Sequence, residues 1–286
     1  MSPAEEISDM EFNGVREFLQ KNCSITLAES KKYLVQTRLE GLLREFKISS
    51  YLELIKRAKA GGDNGLLERI IDKMTTNETL WFRDRYPFEI LRELILPGLA
   101  AGKESGKKIR IWSAASSTGQ EPYSIAMTIR EFCEANSGVP PGGFEILATD
   151  ISQTALGNAR AGSYDRLEIS RGMPDPLLKK YFNEKNGLWE IREEIKRMVR
   201  FNQFNLQKPF AGQGTFDVIF CRNVMIYFSP DFKKELMRKF AEILAPDGFF
   251  VIGVSESVLG ISGDFNPIIH KGGVVYKKSP KGFAAK

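Results

Sequence analysis

Residues 108–127 read KIRIWSAASSTGQEPYSIAM. A short apolar run, KIRIWSAA, shrinks to small side chains and passes through SSTG into the helix-like EPYSIAMTIREFCEAN. This is how a βα unit begins. Small residues let the backbone approach a ligand, and the helix behind them presents free N–H groups and a positive dipole end. The pattern then repeats. FEILATD (144–150) predicts a second strand after the loop SGVPPGG, and SQTALGNARAG a second helix. FDVIFCRNV (216–224), PDFKKELMRKFAEILA (230–245) and GFFVIGVSES (248–257) continue as strand, helix and strand. Short apolar strands alternating with amphipathic helices predict an α/β fold, a parallel sheet covered on both faces. GGVVYKK (272–278) adds one more strand at or near the sheet's edge.

Two regions depart from this alternation. Residues from about 8 to 95 carry no strand pattern. In KKYLVQTRLEGLLREFKI the apolar Val35, Leu39, Leu42, Leu43 and Phe46 share one helical face, with Lys31 and Arg38 beside it. Ser50-x-x-Glu53 offers a capping box for a further helix, which AGGDNG ends. The expected division is a helical domain over 1–74, a linker and helix over 75–107, and the sheet domain over 108–286, whose character begins after AAGKESGKK. Within the last, turn signals at Pro174, Pro176 and Asn186-Gly187 predict an insertion at about 163–197 with its own hairpin.

Bulk properties narrow the function. The net charge is +5, and the longest apolar runs are far short of the ~20 residues that cross a bilayer. The acidic, polar N-terminus does not resemble a signal peptide, and three scattered cysteines suit reduced thiols; both lead to the expectation of a cytoplasmic protein. One histidine, His270, leaves no material for sites that need several imidazoles, and no metal site is expected. The segment Lys31–Lys59 holds eight basic residues against three acidic ones, an excess that suits an acidic partner.

In such sheets ligands gather at the C-terminal strand ends. SAASSTGQEPYS is neither the G-x-G-x-x-G fingerprint nor a phosphate-binding P-loop, and Glu121 at the helix start would repel a pyrophosphate. Glu121 instead suits a ligand with a cationic end, and Asp150, ending the second strand, suits a ribose diol. Ribose, adenine and a cationic amino-acid tail together describe S-adenosylmethionine. Each acid also has a plain structural role open to it: Glu121 as a compensator of the helix dipole, Asp150 as the N-cap of the next helix. Further upstream, TTNETLWFRD (75–84) packs small polar groups, two aromatics and Arg83 together. Thr75-x-x-Glu78 has capping-box spacing, so a helix start is the alternative to a ligand site there.

TNETLWFRD, IWSAASSTGQEPYSIAM, ATDIS and FDVIFCRNVMIYF, in this order, resemble the motif set of the CheR family. These are chemotaxis methyltransferases that esterify glutamate side chains of bacterial chemoreceptors with S-adenosylmethionine, releasing S-adenosylhomocysteine. The resemblance implies a Rossmann-like methyltransferase sheet, an N-terminal all-α domain and a small inserted β-subdomain. It implies that Asn77, Thr79 and Arg83 contact the cofactor from the linker. Ala114, Glu121 and Asp150 would do so from the first two strand ends, with Asn205 and Leu206 of NQFNL and Arg222 and Asn223 of CRN completing the set. Arg83 and Tyr227 become the candidate catalytic residues, although Tyr227 also suits plain packing at a strand end. The family often has glycine-cysteine and a second glutamate where this chain has Ala115, Ser116 and Gln120.

The implied partners are the cytoplasmic domains of chemoreceptors, met by a basic face of Lys31, Arg38, Arg44 and Lys47. A receptor C-terminal peptide would bind the β-subdomain by strand addition. Nucleic acid is not an expected partner, because charge is mild and mixed and CRNVMIYF lacks the Asn/Asp-Pro-Pro-aromatic tetrapeptide of base-amine methylation. Direct membrane insertion is not expected either. A receptor-docking adaptor that binds the cofactor without turnover is the alternative from another class.

Overall fold

The computed structural model describes residues 6–61, 65–102 and 106–279. Parts of AGGDNG and AAGKESGKK lie outside these. Four helices open the chain: α1 (Asp9–Cys23), α2 (Lys32–Phe46), α3 (Tyr51–Ala60) and α4 (Leu66–Met74). Ser8 caps α1 through a full capping box with Glu11. At α3 only half the expected box forms, the Ser50 side chain accepting from the Glu53 N–H. Val35, Leu39 and Leu42 of α2 are buried with Phe12, Phe18, Leu54 and Ile70, while Leu43 and Phe46 pack at the margin of that core. Burying each such side chain is worth roughly 1.5–3 kcal/mol.

No helix starts at Thr75. Its hydroxyl donates to the Asp72 carbonyl, closing α4, and the chain runs on without helix to Leu80. α5 (Tyr86–Ile90) then passes through a π-helical turn (Leu91–Ile95) into α6 (Leu96–Gly102).

The sheet domain follows as β1 (Ile109–Ala114), α7 (Gln120–Ala135), β2 (Phe144–Asp150) and α8 (Gln153–Ala161). The insertion comprises β3 (Ser163–Tyr164), α9 (Arg166–Ser170), α10 (Asp175–Tyr181), β4 (Phe182–Lys185), β5 (Leu188–Ile191) and α11 (Glu193–Lys196). The main sheet resumes with β6 (Val199–Gln203), β7 (Phe216–Cys221), α12 (Pro230–Ile243), β8 (Leu244–Val251), β9 (Phe265–His270) and β10 (Gly273–Lys278).

Strand order in the seven-stranded sheet is β6-β2-β1-β7-β8-β10-β9, with β3-β5-β4 forming a separate three-stranded sheet. The first five strands in that order are mutually parallel, and β10 runs antiparallel to both its neighbours, β8 and β9. Thus β10 lies inside the edge, and the outer strands β6 and β9 lie in stretches whose apolar pattern is too weak to announce them. Residues alternate between two cores: Ile109 and Ile111 face α7, while Trp112 and Ala114 face α12. The hairpin turn Asn186-Gly187 has φ of 54° and 77°, as its tight two-residue loop demands. Because the order reverses between β1 and β7, a crevice opens at their C-terminal ends.

Candidate active site

A cavity of about 510 Å³ occupies that crevice, roofed by the helical domain and the linker. Ala114 ends β1 fully buried and does not line it; Ala115, Ser116 and Ser117 do. Ala115 and Ser117 adopt left-handed φ of 62° and 50°, turning the loop sharply. The Ser117 N–H donates to Asp150 Oδ2 at 2.8 Å, and the Ser152 N–H to Oδ1 at 2.9 Å. Ser152, not Asp150, caps α8. Burial pushes the Asp150 carboxyl above its ordinary value, and the N–H groups of Ser152 and Ser117 offset part of that.

Glu121 stands at the start of α7 with its side chain 12% exposed. It accepts from Ser113 Oγ at 2.7 Å and from Arg222 at 3.0 Å. Burial raises its pKa, against the pull of Arg222. The Arg222 side chain is 1% exposed and also donates to the Arg83 carbonyl and to Asp84 Oδ2, each at 2.7 Å. It thereby binds the linker to the sheet. Phe82, Asp84 and Arg85 all have positive φ (47°, 67° and 54°), a costly turn that only a strong network holds. Behind it Trp81 is buried, and its backbone N–H donates to the Arg171 carbonyl of the insertion at 3.0 Å. Gly172 makes that approach possible, since a Cβ there would lie 2.3 Å from the Trp81 carbonyl oxygen.

The roof is stitched to the sheet by polar contacts. Asn77 donates to Ser152 Oγ at 3.3 Å, and its carbonyl accepts from Ser117 Oγ at 2.7 Å. Ser152 Oγ also donates to Asp72 of α4. Asn205 reaches the Asn22 carbonyl at 2.7 Å, and the Thr26 N–H reaches the Tyr227 carbonyl at 2.9 Å. Arg38 donates to the carbonyls of Met74 and Thr75 at 2.8 and 3.0 Å, so its guanidinium holds the linker and is not offered freely to a partner.

Most of the residues singled out in the sequence therefore meet in one place. Asn77, Thr79, Arg83, Glu121, Asp150, Asn205, Leu206, Arg222, Asn223 and Tyr227 all line the cavity, as do Lys31 and Arg38. Arg44 and Lys47 do not: Arg44 lies 3.5 Å from Glu40 on an exposed helical face, and Lys47 is the left-handed C-cap of α2. The Arg83 guanidinium and Tyr227 hydroxyl have no hydrogen-bond partner among the described residues, nor has the buried Ser116 hydroxyl. Ser113, Asp84, Asp72 and Glu256 also shape the site, and no periodic or spacing signal marks such an isolated serine or acid in the sequence.

The arrangement fits S-adenosylmethionine. The volume suits a nucleoside-sized ligand. Enclosed carboxylates at the end of β2 and the start of α7 match a diol and a cationic tail, and the Ser116 hydroxyl, unpartnered among the described residues, faces the same enclosure. Among the described residues no cluster of metal-ligating side chains occurs, and no helix is long and apolar enough to cross a membrane.

Comparison with known proteins gives the same answer. The family model "CheR methyltransferase, SAM binding domain" matches residues 77–272, and "CheR methyltransferase, all-alpha domain" matches 10–75. A chemotaxis protein methyltransferase of Pseudomonas putida, Cher2, is 43% identical over 270 residues, 94% of this chain and 98% of that protein. One from Vibrio parahaemolyticus is 44% identical over 272 residues, 95% of this chain and 98% of its own length. The Escherichia coli chemotaxis protein methyltransferase is 35% identical, covering 88% and 85% respectively. Two domain matches spanning nearly the whole chain, over a strand-end cavity shaped for the cofactor, make this protein a member of the CheR family of S-adenosylmethionine-dependent methyltransferases.

Proposed function

We propose that this enzyme methylates glutamate side chains on the cytoplasmic domains of bacterial chemoreceptors, forming methyl esters during chemosensory adaptation. The carrying observation is that the Arg83 guanidinium and the Tyr227 hydroxyl, neither with a hydrogen-bond partner among the described residues, face one cavity with the Glu121–Arg222 pair. A glutamate has an ordinary pKa of about 4.3, so the nucleophile arrives ionised and no general base is required. S-adenosylmethionine supplies an already electrophilic methyl group. What the chain must add is alignment, and alignment can supply much of the barrier reduction.

Each residue then has a task. Asp150 and Glu121 hold the diol and the cationic end, with Asn77, Thr79, Asn205, Leu206 and Asn223 closing around the remainder. Arg222 is committed to Glu121 and Asp84, so it builds the site and does not bind substrate. Tyr227 donates to one oxygen of the incoming carboxylate. Arg83 secures the cofactor and orients the glutamate loosely; a tight clamp would stabilise the reactants more than the transition state. Opposite charges shrink as the bond forms, so a site closed to water favours the reaction.

Lys31 lines the cavity from the helical domain, and the exposed Arg44 and Lys47 continue a basic face toward an acidic receptor, while Arg38 is committed to the linker carbonyls. In the three-stranded sheet β4 is an edge strand with Asn183, Glu184 and Lys185 exposed, which suits addition of a receptor's C-terminal peptide as a further strand. The working division is a helical domain over 1–74, a linker over 75–107 and a catalytic domain over 108–286, in a cytoplasmic protein.

The test uses methyl-labelled S-adenosylmethionine and receptor-containing membranes of the source organism. Alkali should release the label as volatile methanol. Label that resists alkali would indicate nitrogen or carbon methylation and overturn the glutamate assignment.

A further inference from the structure

We infer that Glu256 is a positioning residue for methyl transfer, its carboxylate holding the Arg222–Tyr227 loop in place against the cavity. The inference builds on the role given to Tyr227 above. Glu256 does not line the cavity, so any effect it has on the reaction passes through the loop.

Three backbone N–H groups converge on this one side chain. Those of Asn223 and Gly253 donate to Oε2, each at 2.8 Å, and that of Met225 donates to Oε1 at 2.9 Å. Asn223 has φ of 58°, and its left-handed turn points neighbouring N–H groups the same way. Such a concave set of amides binds anions. Here the anion is supplied by the chain itself, from the segment after β8.

A carboxylate is the only common side chain that satisfies all three donors. It offers lone pairs on both oxygens and no hydrogen, whereas a glutamine amide must turn its NH₂ toward at least one N–H. Gly253 is the complementary part. A Cβ at that position would lie 2.6 Å from Asn223 Nδ2 and 2.9 Å from Glu256 Oε2, so both partners would have to move.

The anchor reaches Tyr227 through a short, bonded turn. The Tyr227 N–H donates to the Val224 carbonyl at 3.1 Å and the Phe228 N–H to the Met225 carbonyl at 3.0 Å. The loop is thus held at three points. Arg222 is fixed by Glu121 and Asp84, the middle by Glu256, and the far end by Thr26 and an isolated bridge between Ile25 and Phe228. Releasing the middle frees the stretch that orients the tyrosine hydroxyl.

The experiment is a double-mutant cycle between Glu256→Gln and Tyr227→Phe in the full-length enzyme. Turnover is read as alkali-labile methyl label on membranes carrying the source organism's receptors, and melting temperature is followed by circular dichroism. Misplacement of the tyrosine predicts that E256Q lowers kcat about tenfold in the parent. It should lower kcat less than about twofold in the Tyr227→Phe background, where nothing is left to misplace. Glu256→Asp keeps the charge but withdraws both oxygens by one methylene, so the same loss is expected. Gly253→Ala disturbs the anchor from the other side and should give the same coupled loss, which covers Glu256 variants that do not fold.

Equal losses in both backgrounds, with Tyr227→Phe itself impaired, would overturn the inference alone. Full kcat in E256D would assign the effect to charge and also overturn it. Full kcat in Tyr227→Phe would instead remove the role given to Tyr227.

Discussion

On the sheet side of the cavity Asp150 and Glu121 are enclosed and already bonded, to two backbone N–H groups in one case and to Ser113 and Arg222 in the other. On the opposite side Arg83 has no partner among the described residues, and Lys31 is exposed, its amino group 6.0 Å from the Tyr33 ring centroid. One wall is therefore assembled before any ligand arrives, and the other keeps Arg83 and Lys31 uncommitted, although Arg38 is bonded to the linker. Under the proposed reaction the difference matches two kinds of ligand. A cofactor of constant shape rewards preorganisation, because nothing need be reordered when it binds. A protein carboxylate that must arrive, react and leave is better met by groups that do not hold it tightly.

The strongest way to break this comparison is to attack the built wall at Arg222. Replacing it with Met leaves Glu121 and Asp84 without their cation in an enclosed setting, and stability should fall by about 3–5 kcal/mol. Urea unfolding measures it, and a loss below about 1 kcal/mol would mean that the wall does not depend on this network. Arg83 is the matched test on the open wall. Arg83→Ala should leave stability within about 0.5 kcal/mol of the parent. Its kcat/KM should nevertheless fall by about one to two orders of magnitude, and a melting point lowered in proportion would contradict the division.

Acidity separates the carboxylates further. Burial raises the folded-state pKa of Asp150, so just above the ordinary carboxylate range the folded chain holds a proton that the unfolded chain has lost. Stability from this group must then decline as pH rises through that interval. Asp150→Asn should flatten that decline in unfolding midpoints taken from pH 4 to 7. Glu93 has the opposite sign. Lys271, with His270 and Arg92, holds its carboxyl down to about 2, so its contribution is present above the ordinary range and is lost as pH falls toward 2. Glu93→Gln should flatten only the acid limb, and identical profiles for the two variants would refute the contrast.

The smallest expected effect lies in the loop between the walls. Ala115 is held at φ of 62°, where an L-residue is strained and glycine is not. Ala115→Gly should raise stability by about 0.5 kcal/mol, the relief of strain being partly offset by a more flexible unfolded chain. A destabilisation of similar size would show that the methyl group packs usefully in the turn.

What could be read without coordinates follows from periodicity and local steric rules. The alternation of apolar strands and helices determined the sheet's four central strands, because buried parallel strands must be apolar nearly throughout. Asn186-Gly187 determined the inserted hairpin, since few residues accept two successive positive φ values. The ordered motifs picked out residues that line one cavity, Ala114 excepted. Other features were decided only by the tertiary fold. The outer strands β6 and β9, being edges, need no continuous apolar run. Thr75 closes a helix where its spacing also suited opening one, because Arg38, 36 residues upstream of Met74, claims the carbonyls there. The same contact turned an expected receptor-facing cation into an internal clamp. Glu256 could not have been found in the sequence at all. Its meaning lies in three backbone N–H groups from two separate segments, and backbone groups look alike in every sequence until folding aims them at one point.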